Sequence, residues 1–363
     1  MYSILYIIKL PPPVNGATTM NKYVSESEVL TNNFNNYYIN YGLTESNNEF
    51  GTIKLYKLPK YFIALFKTLY LLLSEKINLV YITIAPKGLP FIKDSVFIWI
   101  SKLLCKNVVI HLHGGGIRSL IGNPIYKIYY KFLFKDCHLI CLAKRLICDI
   151  EDVYDSMPFV IPNGIIPNEN NYSNKLQGKF KILFLSNLYY SKGIIEFLDV
   201  VEKLIRDNKI EFEALIVGNA TTDISVEELI AEIKIRKLND HVCVLGPKYG
   251  SEKIEILNSS NILLFLSKID TFGLVTIEAF EAGIPVIANN VGGIPDIIQN
   301  GKNGYIVENN NIDEICRYIY VLHDNKELLS EISKYNVITF NEKYQIKHFE
   351  KNILKTFKDI LGL

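Results

Sequence analysis

The sequence predicts an α/β protein made of two Rossmann-like domains facing each other across a cleft. Three observations carry this. A chain of 363 residues, at roughly 150 residues per domain, is the length of two domains. Short apolar runs, mostly without strict alternation, read as strands covered on both faces, the mark of parallel sheets. Longer amphipathic stretches separate several of these runs, and the strand–helix alternation occurs twice over.

The first set of buried strands is expected at 4–8, 79–84, 108–112 and 139–142, and the second at 181–185, 214–217, 242–245, 262–266 and 285–288. Helical patterning covers 194–207, 226–237 and 276–282. Pro and Gly in Ile161-Pro162-Asn163-Gly164 break the chain, and a polar stretch at 168–174 follows. The expected domains are therefore 1–165 and 166–340, with a basic amphipathic helix at 341–363, carrying Phe349, Ile353 and Phe357, to finish the chain. Open α/β sheets bind ligands beyond the carboxyl ends of their strands, so the functional residues are sought there.

Composition narrows the function. Apolar residues make up 49% and charged residues 21%, the balance of a globular chain. A net charge of +1 makes no general case for nucleic acid as a partner. Six scattered cysteines, Cys105, Cys137, Cys141, Cys148, Cys243 and Cys316, suit a reducing cytoplasm better than a disulfide framework. No uncharged apolar run reaches the length of a membrane-spanning helix, and the apolar start of the chain reads as a first strand rather than a signal peptide.

The even total conceals an asymmetry. Residues 1–165 carry 17 basic and 11 acidic side chains; within them, residues 54–145 carry 15 basic and 3 acidic ones. Much of that charge is interleaved with aromatics, as in Lys60-Tyr61-Phe62-Ile63-Ala64-Leu65-Phe66-Lys67. Two readings stand side by side: a surface for an anionic membrane or a phosphate-bearing substrate, and a solvated helix with aromatics in the core and lysines reaching out to water.

Several chemistries lose their support. There is no G-x-G-x-x-G after a strand, no G-x-x-x-x-G-K-[ST] and no G-x-S-x-G, so dinucleotide oxidoreductases, P-loop nucleotidases and α/β hydrolases are disfavoured. No D-x-D pair stands ready to hold a divalent ion. Cys137, His138 and Cys141 lie on an expected buried strand, where alternate residues face opposite ways, so neither a metal site nor another cofactor is expected.

Four segments carry chemistry. In the first, Asp270-Thr271-Phe272-Gly273-Leu274-Val275 runs from an expected strand into a helix that bears Glu278. Gly273 permits close backbone approach, the N–H groups near Leu274 and Val275 suit an anion, and the two carboxylates can face one ligand, one of them accepting two hydrogen bonds from a vicinal diol. An Asp cap and a solvated Glu would give the same letters. In the second, Ser186-Asn187-Leu188-Tyr189-Tyr190-Ser191-Lys192-Gly193 puts a cation at a helix N-terminus, against the helix dipole; a bound phosphate would resolve the conflict. The third, His111-Leu112-His113-Gly114-Gly115-Gly116, places histidines at a strand's carboxyl end, with His111 read as a buried structural residue. The fourth, Pro11-Pro12-Pro13-Val14-Asn15-Gly16, is a rigid loop that either presents N–H groups or simply turns the chain.

Taken in order, Gly16, His113-Gly114, Ile161-Pro162-Asn163-Gly164, Lys192-Gly193, the Asp270 to Glu278 segment and Gly292-Gly293-Ile294-Pro295-Asp296 resemble the GT-B retaining glycosyltransferases of the large group four. The resemblance covers nearly the whole chain. It implies transfer of a sugar, with anomeric configuration kept, from a nucleotide-sugar donor to a glycan or lipid-linked acceptor, with no metal or other cofactor. It also implies that the last helix crosses back to the first domain. UDP-sugars are the favoured donors and GDP-sugars the next. Bacterial surface polysaccharide (O-antigen or capsule) is the favoured setting, with the protein cytoplasmic and in peripheral contact with the inner face of an anionic membrane.

Carried over residue by residue, the resemblance places Glu278 on the donor ribose and Asp270 against the donor sugar. Lys192, Asn187, Leu274 and Val275 fall to the diphosphate, with Gly16 approaching it. His113 falls near the reacting sugar, and the donor base lies near residues 246–249. The sequence departs from the family twice: Asp270 stands where Glu is usual, and Asn187 where Arg is usual, losing the charge and the fork. Those departures keep a second possibility in view, a catalytically silent partner subunit that only binds a sugar nucleotide.

Overall fold

The computed structural model describes residues 1–42, 58–105, 107–168 and 178–363; most of the polar stretch at 168–174, and Lys54, Lys57 and Lys106 of the basic stretch, lie outside them. The chain divides into two compact units. One is Met1–Gly164 together with Ile346–Leu363, and the other is Ile165–Gln345.

The first unit is built on six parallel strands, β1 (Ser3–Ile8), β2 (Asn35–Asn40), β3 (Ile77–Ile84), β4 (Val108–Leu112), β5 (His138–Cys141) and β6 (Phe159–Val160), in the order β2-β1-β3-β4-β5-β6. From β2 onward, the connections run in one direction across the sheet through the helices Leu58–Ser74, Gly88–Leu104 and Pro124–Phe134. Right-handed crossovers therefore stack these three helices on one face. Leu5, Ile7, Val80 and Ile82 pack there with Phe91, Phe97 and Tyr130. The opposite face takes the alternate residues: Tyr6 and Tyr81 meet Phe357 of the terminal helix Ile346–Leu361 at ring distances of 6.2 and 5.7 Å. That helix buries Phe349, Ile353, Thr356 and Phe357, a single stripe at helical spacing.

The second unit holds β7 (Phe180–Leu185), β8 (Phe212–Val217), β9 (Val242–Gly246), β10 (Ile262–Phe265), β11 (Val286–Asn289) and β12 (Gly304–Val307), again all parallel, in the order β12-β11-β10-β7-β8-β9. Its centre packs Ile182, Phe184, Ala214, Ile216, Ile262 and Leu264 against Phe197, Leu198 and Val201 of the helix Ile194–Asp207. The strand order reverses between β7 and β10, and in the first unit between β1 and β3. At such a point neighbouring loops diverge to opposite faces and leave a crevice beyond the strand ends.

The structure departs from the sequence expectation in a few places. Strands β2, β6 and β12 were not expected: β2 is an Asn- and Tyr-rich edge strand, β6 has two residues, and β12 starts on a glycine. The terminal helix starts at Ile346 rather than 341. A π-helical turn, Phe340–Tyr344, precedes it and belongs to the second unit, where Tyr344 packs 6.3 Å from the rings of both Phe272 and Phe280. Gln345 is extended and breaks the run.

Candidate functional site

The second unit gathers its candidate residues at the carboxyl ends of β7 and β10. Beyond β7 the chain passes Asn187, makes a single 3₁₀ turn, Tyr190–Lys192, and enters the helix Ile194–Asp207 through Gly193. Gly193 is left-handed, with φ +82°, and a Cβ there would stand 2.3 Å from the Leu266 carbonyl oxygen. Only glycine lets the loop after β7 lie this close to the end of β10. The Lys268 N–H donates to the Ser191 carbonyl at 2.8 Å and fastens the two loops together.

This fastening sets Lys192 against Asp270. Their Nζ and Oδ2 are 2.6 Å apart, with both side chains mostly withdrawn from water. The other oxygen of Asp270 accepts from the N–H groups of Thr271 (2.8 Å) and Phe272 (3.3 Å), so the carboxylate is fixed by its own turn. Gly292 closes the back of that turn: a Cβ there would lie 2.2 Å from the Asp270 carbonyl oxygen, and Gly293 N–H donates to Thr271 O at 2.8 Å. The glycine pair at 292–293 thus acts on the site through the backbone of Asp270. The lysine that looked misplaced at a helix start faces a carboxylate, which offsets the unfavourable dipole.

The helix Leu274–Glu281 follows, entered through a left-handed Gly273 that caps it without any side-chain bond. Its first N–H groups, those of Leu274 and Val275, have no partner within the helix and form an anion-attracting end. Glu278 lies on the second turn, where its Oε1 accepts from Lys253 Nζ at 2.8 Å. Its Oε2 is buried and has no hydrogen-bond partner. An acceptor withdrawn from water and left open is costly unless a ligand donates to it. Lys253, on the helix Gly250–Ser259, is a site residue that sequence reasoning missed.

Asn187 begins a row along the ends of three adjacent strands. Its amide oxygen accepts from Asn219 N–H (3.3 Å) and Nδ2 (3.2 Å), and Asn219 Nδ2 also reaches Tyr249 Oη at 2.7 Å. Asn187 follows β7, Asn219 follows β8 and Tyr249 follows β9. Asn219 carried no motif, and only strand adjacency reveals it.

The remaining candidates belong to the first unit. His113 comes one residue after β4, with its ring 4.1 Å from that of His111. His111 is fully buried and shares a 2.7 Å hydrogen bond with the Tyr81 hydroxyl. Both ring nitrogens of His113 are out of solvent and unpartnered. Burial lowers the His113 pKa to about 4, and burial together with the neighbouring His113 holds His111 well below the usual histidine value. His113 is accordingly a neutral imidazole at pH 7. Gly16 is the exposed first residue of the helix Gly16–Glu26, behind an Asn15–Thr18 capping box. Cys137 and Cys141 are buried, and burial pushes both thiols up to about 12. Among the described residues no three His, Cys, Asp or Glu side chains are grouped as metal ligands.

The switch point of the second sheet thus brings together an ion pair, a helix N-terminus and an open carboxylate oxygen. Comparison with known proteins gives it a class. Residues 166–337, which fall in the second unit, match the family described as glycosyl transferases group 1. An uncharacterized glycosyltransferase of Methanocaldococcus jannaschii is 24% identical over 257 residues, which span 69% of this chain and 68% of that protein. The UDP-Gal:alpha-D-GlcNAc-diphosphoundecaprenol alpha-1,3-galactosyltransferase of Escherichia coli is 26% identical over 76% of this chain and 73% of its own length. The capsular polysaccharide biosynthesis glycosyltransferase CapM of Staphylococcus aureus is 29% identical over 45% of this chain and 42% of its own length. Among solved structures, Anabaena HepE in complex with UDP superimposes with a TM-score of 0.74 at 18% identity, covering 99% of this chain and all of that one. A glycosyltransferase from Rickettsia africae reaches 0.74 at 19% identity, covering 99% and 98% of the two chains. The fold is GT-B.

Proposed function

We propose that this protein is a retaining glycosyltransferase that moves a sugar from a nucleotide-sugar donor, UDP-linked by preference, to a glycan or lipid-linked acceptor in bacterial polysaccharide synthesis. The observation that carries the reading is the Lys192–Asp270 pair at the β7/β10 crevice, with an anion-attracting helix end and the open Glu278 oxygen in the segment that follows. The donor class draws support from HepE, solved with UDP, and the acceptor class from the galactosyltransferase whose name specifies a diphosphoundecaprenol-linked sugar.

The assigned roles follow from chemistry. Glu278 Oε2 accepts from a ribose hydroxyl, while Lys253 holds the other oxygen of its carboxylate in place. Lys192 and the N–H groups of Leu274 and Val275 stabilise the charge that builds on the departing diphosphate, while Asn187 contributes through its amide and Gly273 admits the phosphates at the helix end. Asp270 orients Lys192 and accepts from a hydroxyl of the donor sugar. In the first unit, neutral His113 offers two open ring nitrogens to a sugar hydroxyl, and Gly16 is exposed at a helix start. No metal is needed, since lysine and helix dipole supply the positive charge.

A thermal-shift screen of the purified protein against UDP, GDP and ADP, with and without EDTA, tests the reading. UDP is expected to stabilise the protein regardless of EDTA, and Glu278→Ala to abolish the shift. Slow release of sugar from the matching UDP-sugar, with its α-configuration retained by NMR, is the expected turnover. Absence of binding by any of the three nucleotides overturns the assignment.

A further inference from the structure

The three helices on one face of the first sheet are unusual on their outward side. The exposed large apolar side chains among the described residues number thirty, and sixteen of them lie in Leu58–Ser74, Gly88–Leu104 and Pro124–Phe134. They form stripes. Phe62, Phe66, Leu69 and Leu73 repeat at helical spacing on the first helix, opposite its buried Ala64, Thr68 and Leu72. Ile92, Val96 and Leu103 do the same on the second, and Ile125, Ile128 and Phe132 on the third. These are strongly exposed groups: Phe66 is 70% accessible, Leu103 81% and Ile125 76%. The helices are also joined side by side. Tyr61 Oη donates to the Lys93 carbonyl at 2.8 Å, Ser95 and Tyr129 hydroxyls are 2.6 Å apart, and Lys102 Nζ donates to the Phe132 carbonyl at 2.9 Å.

The charge on this face has one sign. The three helices carry six lysines, Lys60, Lys67, Lys93, Lys102, Lys127 and Lys131, and one acidic residue, Asp94. Asp94 is fully buried, where Lys9 holds it at 2.6 Å. An ordinary solvated helix mixes both signs, and a contiguous apolar patch of this breadth is rare on a soluble surface. A second copy of the chain is disfavoured, because a two-fold contact would set lysines against lysines with no exposed carboxylate within the three helices to match them. A surface combining apolar stripes, ring side chains and a uniform positive charge fits the interface of an anionic bilayer, where rings enter the headgroup boundary and lysines meet phosphate.

We infer that the outward face of these three helices is a docking surface for an anionic lipid bilayer, with Phe62, Phe66, Leu73, Ile92, Leu103 and Phe132 entering the headgroup–acyl boundary. This gives the peripheral membrane contact expected from the sequence a location, and its test is independent of turnover. No helix of the described residues is long and apolar enough to cross a membrane.

Co-sedimentation of the full chain with phosphatidylglycerol–phosphatidylcholine vesicles, compared with phosphatidylcholine alone, reads it directly. The expected result is binding to the anionic vesicles that falls several-fold, without vanishing, when salt is raised from 50 to 500 mM, because screening removes the lysine contribution and leaves the apolar one. Phe66→Asp with Leu73→Asp is expected to reduce binding at least tenfold. Both positions are exposed, so circular dichroism and UDP binding should be unchanged in that variant. Failure of the full chain to bind anionic vesicles at 50 mM salt overturns the inference, and so does binding that the double variant leaves intact. Light scattering that shows a dimer converted to monomer by the same variant, with vesicle binding unaltered, assigns the face to a second copy instead. UDP binding separates these outcomes from failure of the glycosyltransferase reading.

Discussion

Lys192 and Asp270 hold each other 2.6 Å apart, yet each has a separate reason to be there. Asp270 is fixed by the N–H groups of Thr271 and Phe272, so it does not depend on the lysine for its position. The pair is partly solvated, and such pairs contribute up to about 1 kcal/mol to stability. Lys192→Ala should therefore leave urea denaturation within about 1 kcal/mol of the parent. It should lower kcat by about 10²–10³, the usual loss when one preorganised donor to a developing anion is removed. Equal losses of stability and activity would make Lys192 structural. Glu278 is expected to act differently. Glu278→Gln keeps the shape but weakens the acceptor, so the donor KM should rise about tenfold, the equivalent of one lost charged hydrogen bond of about 1.5 kcal/mol, with kcat less affected. Lysine and aspartate were legible in the sequence because each interrupts a strand-to-helix pattern. Lys253 was not, because a lysine on an amphipathic helix 25 residues before its partner leaves no periodic trace.

At the level of elements, the buried strands and the helix Ile194–Asp207 were readable because parallel strands covered on both faces and an amphipathic helix each impose a dense apolar pattern. Strand β2 was not: Asn-Asn-Tyr-Tyr-Ile-Asn is polar, and its place is set by pairing with β1 at the sheet edge. The residues that bring the site's loops together are glycines, whose reason shows only in three dimensions. Gly193→Ala adds a Cβ 2.3 Å from a backbone oxygen at φ +82°. A left-handed alanine alone costs about 1–2 kcal/mol, and the clash must be relieved by moving the loop. The variant should lose more than about 2 kcal/mol in urea denaturation, and nucleotide affinity should fall with it, because the displaced loop carries Lys192. Gly301→Ala is the control: φ is +76° there too, but nothing lies within 4 Å, so only the backbone penalty is expected.

For the molecule as a whole, the first unit is completed by the end of the chain, and its interior carries a pH dependence. Phe357 packs on Tyr6, Phe34 and Tyr81, and Phe349 lies 6.2 Å from the buried His111 ring. Phe357→Ala should cost about 3–5 kcal/mol, the range for an aromatic removed from a packed core, and should unfold the first unit ahead of the second. Under that helix lies His111, faced by the neutral Tyr81 and Phe349, with the His113 ring 4.1 Å away. The folded state holds His113 at about 4, against an ordinary value of 6.5 in the unfolded chain. Between those values the unfolded chain binds more protons, so stability rises with pH and is lost as pH falls from 6.5 toward 4. At pH 5 the histidine contributes a loss of about 2 kcal/mol relative to pH 7.5, from 1.36 kcal/mol per unit. Urea denaturation of the parent and of His113→Gln at both pH values checks this. The parent should weaken on acidification and the variant should weaken less by that amount; parallel pH profiles would mean that His113 is protonated within the folded protein.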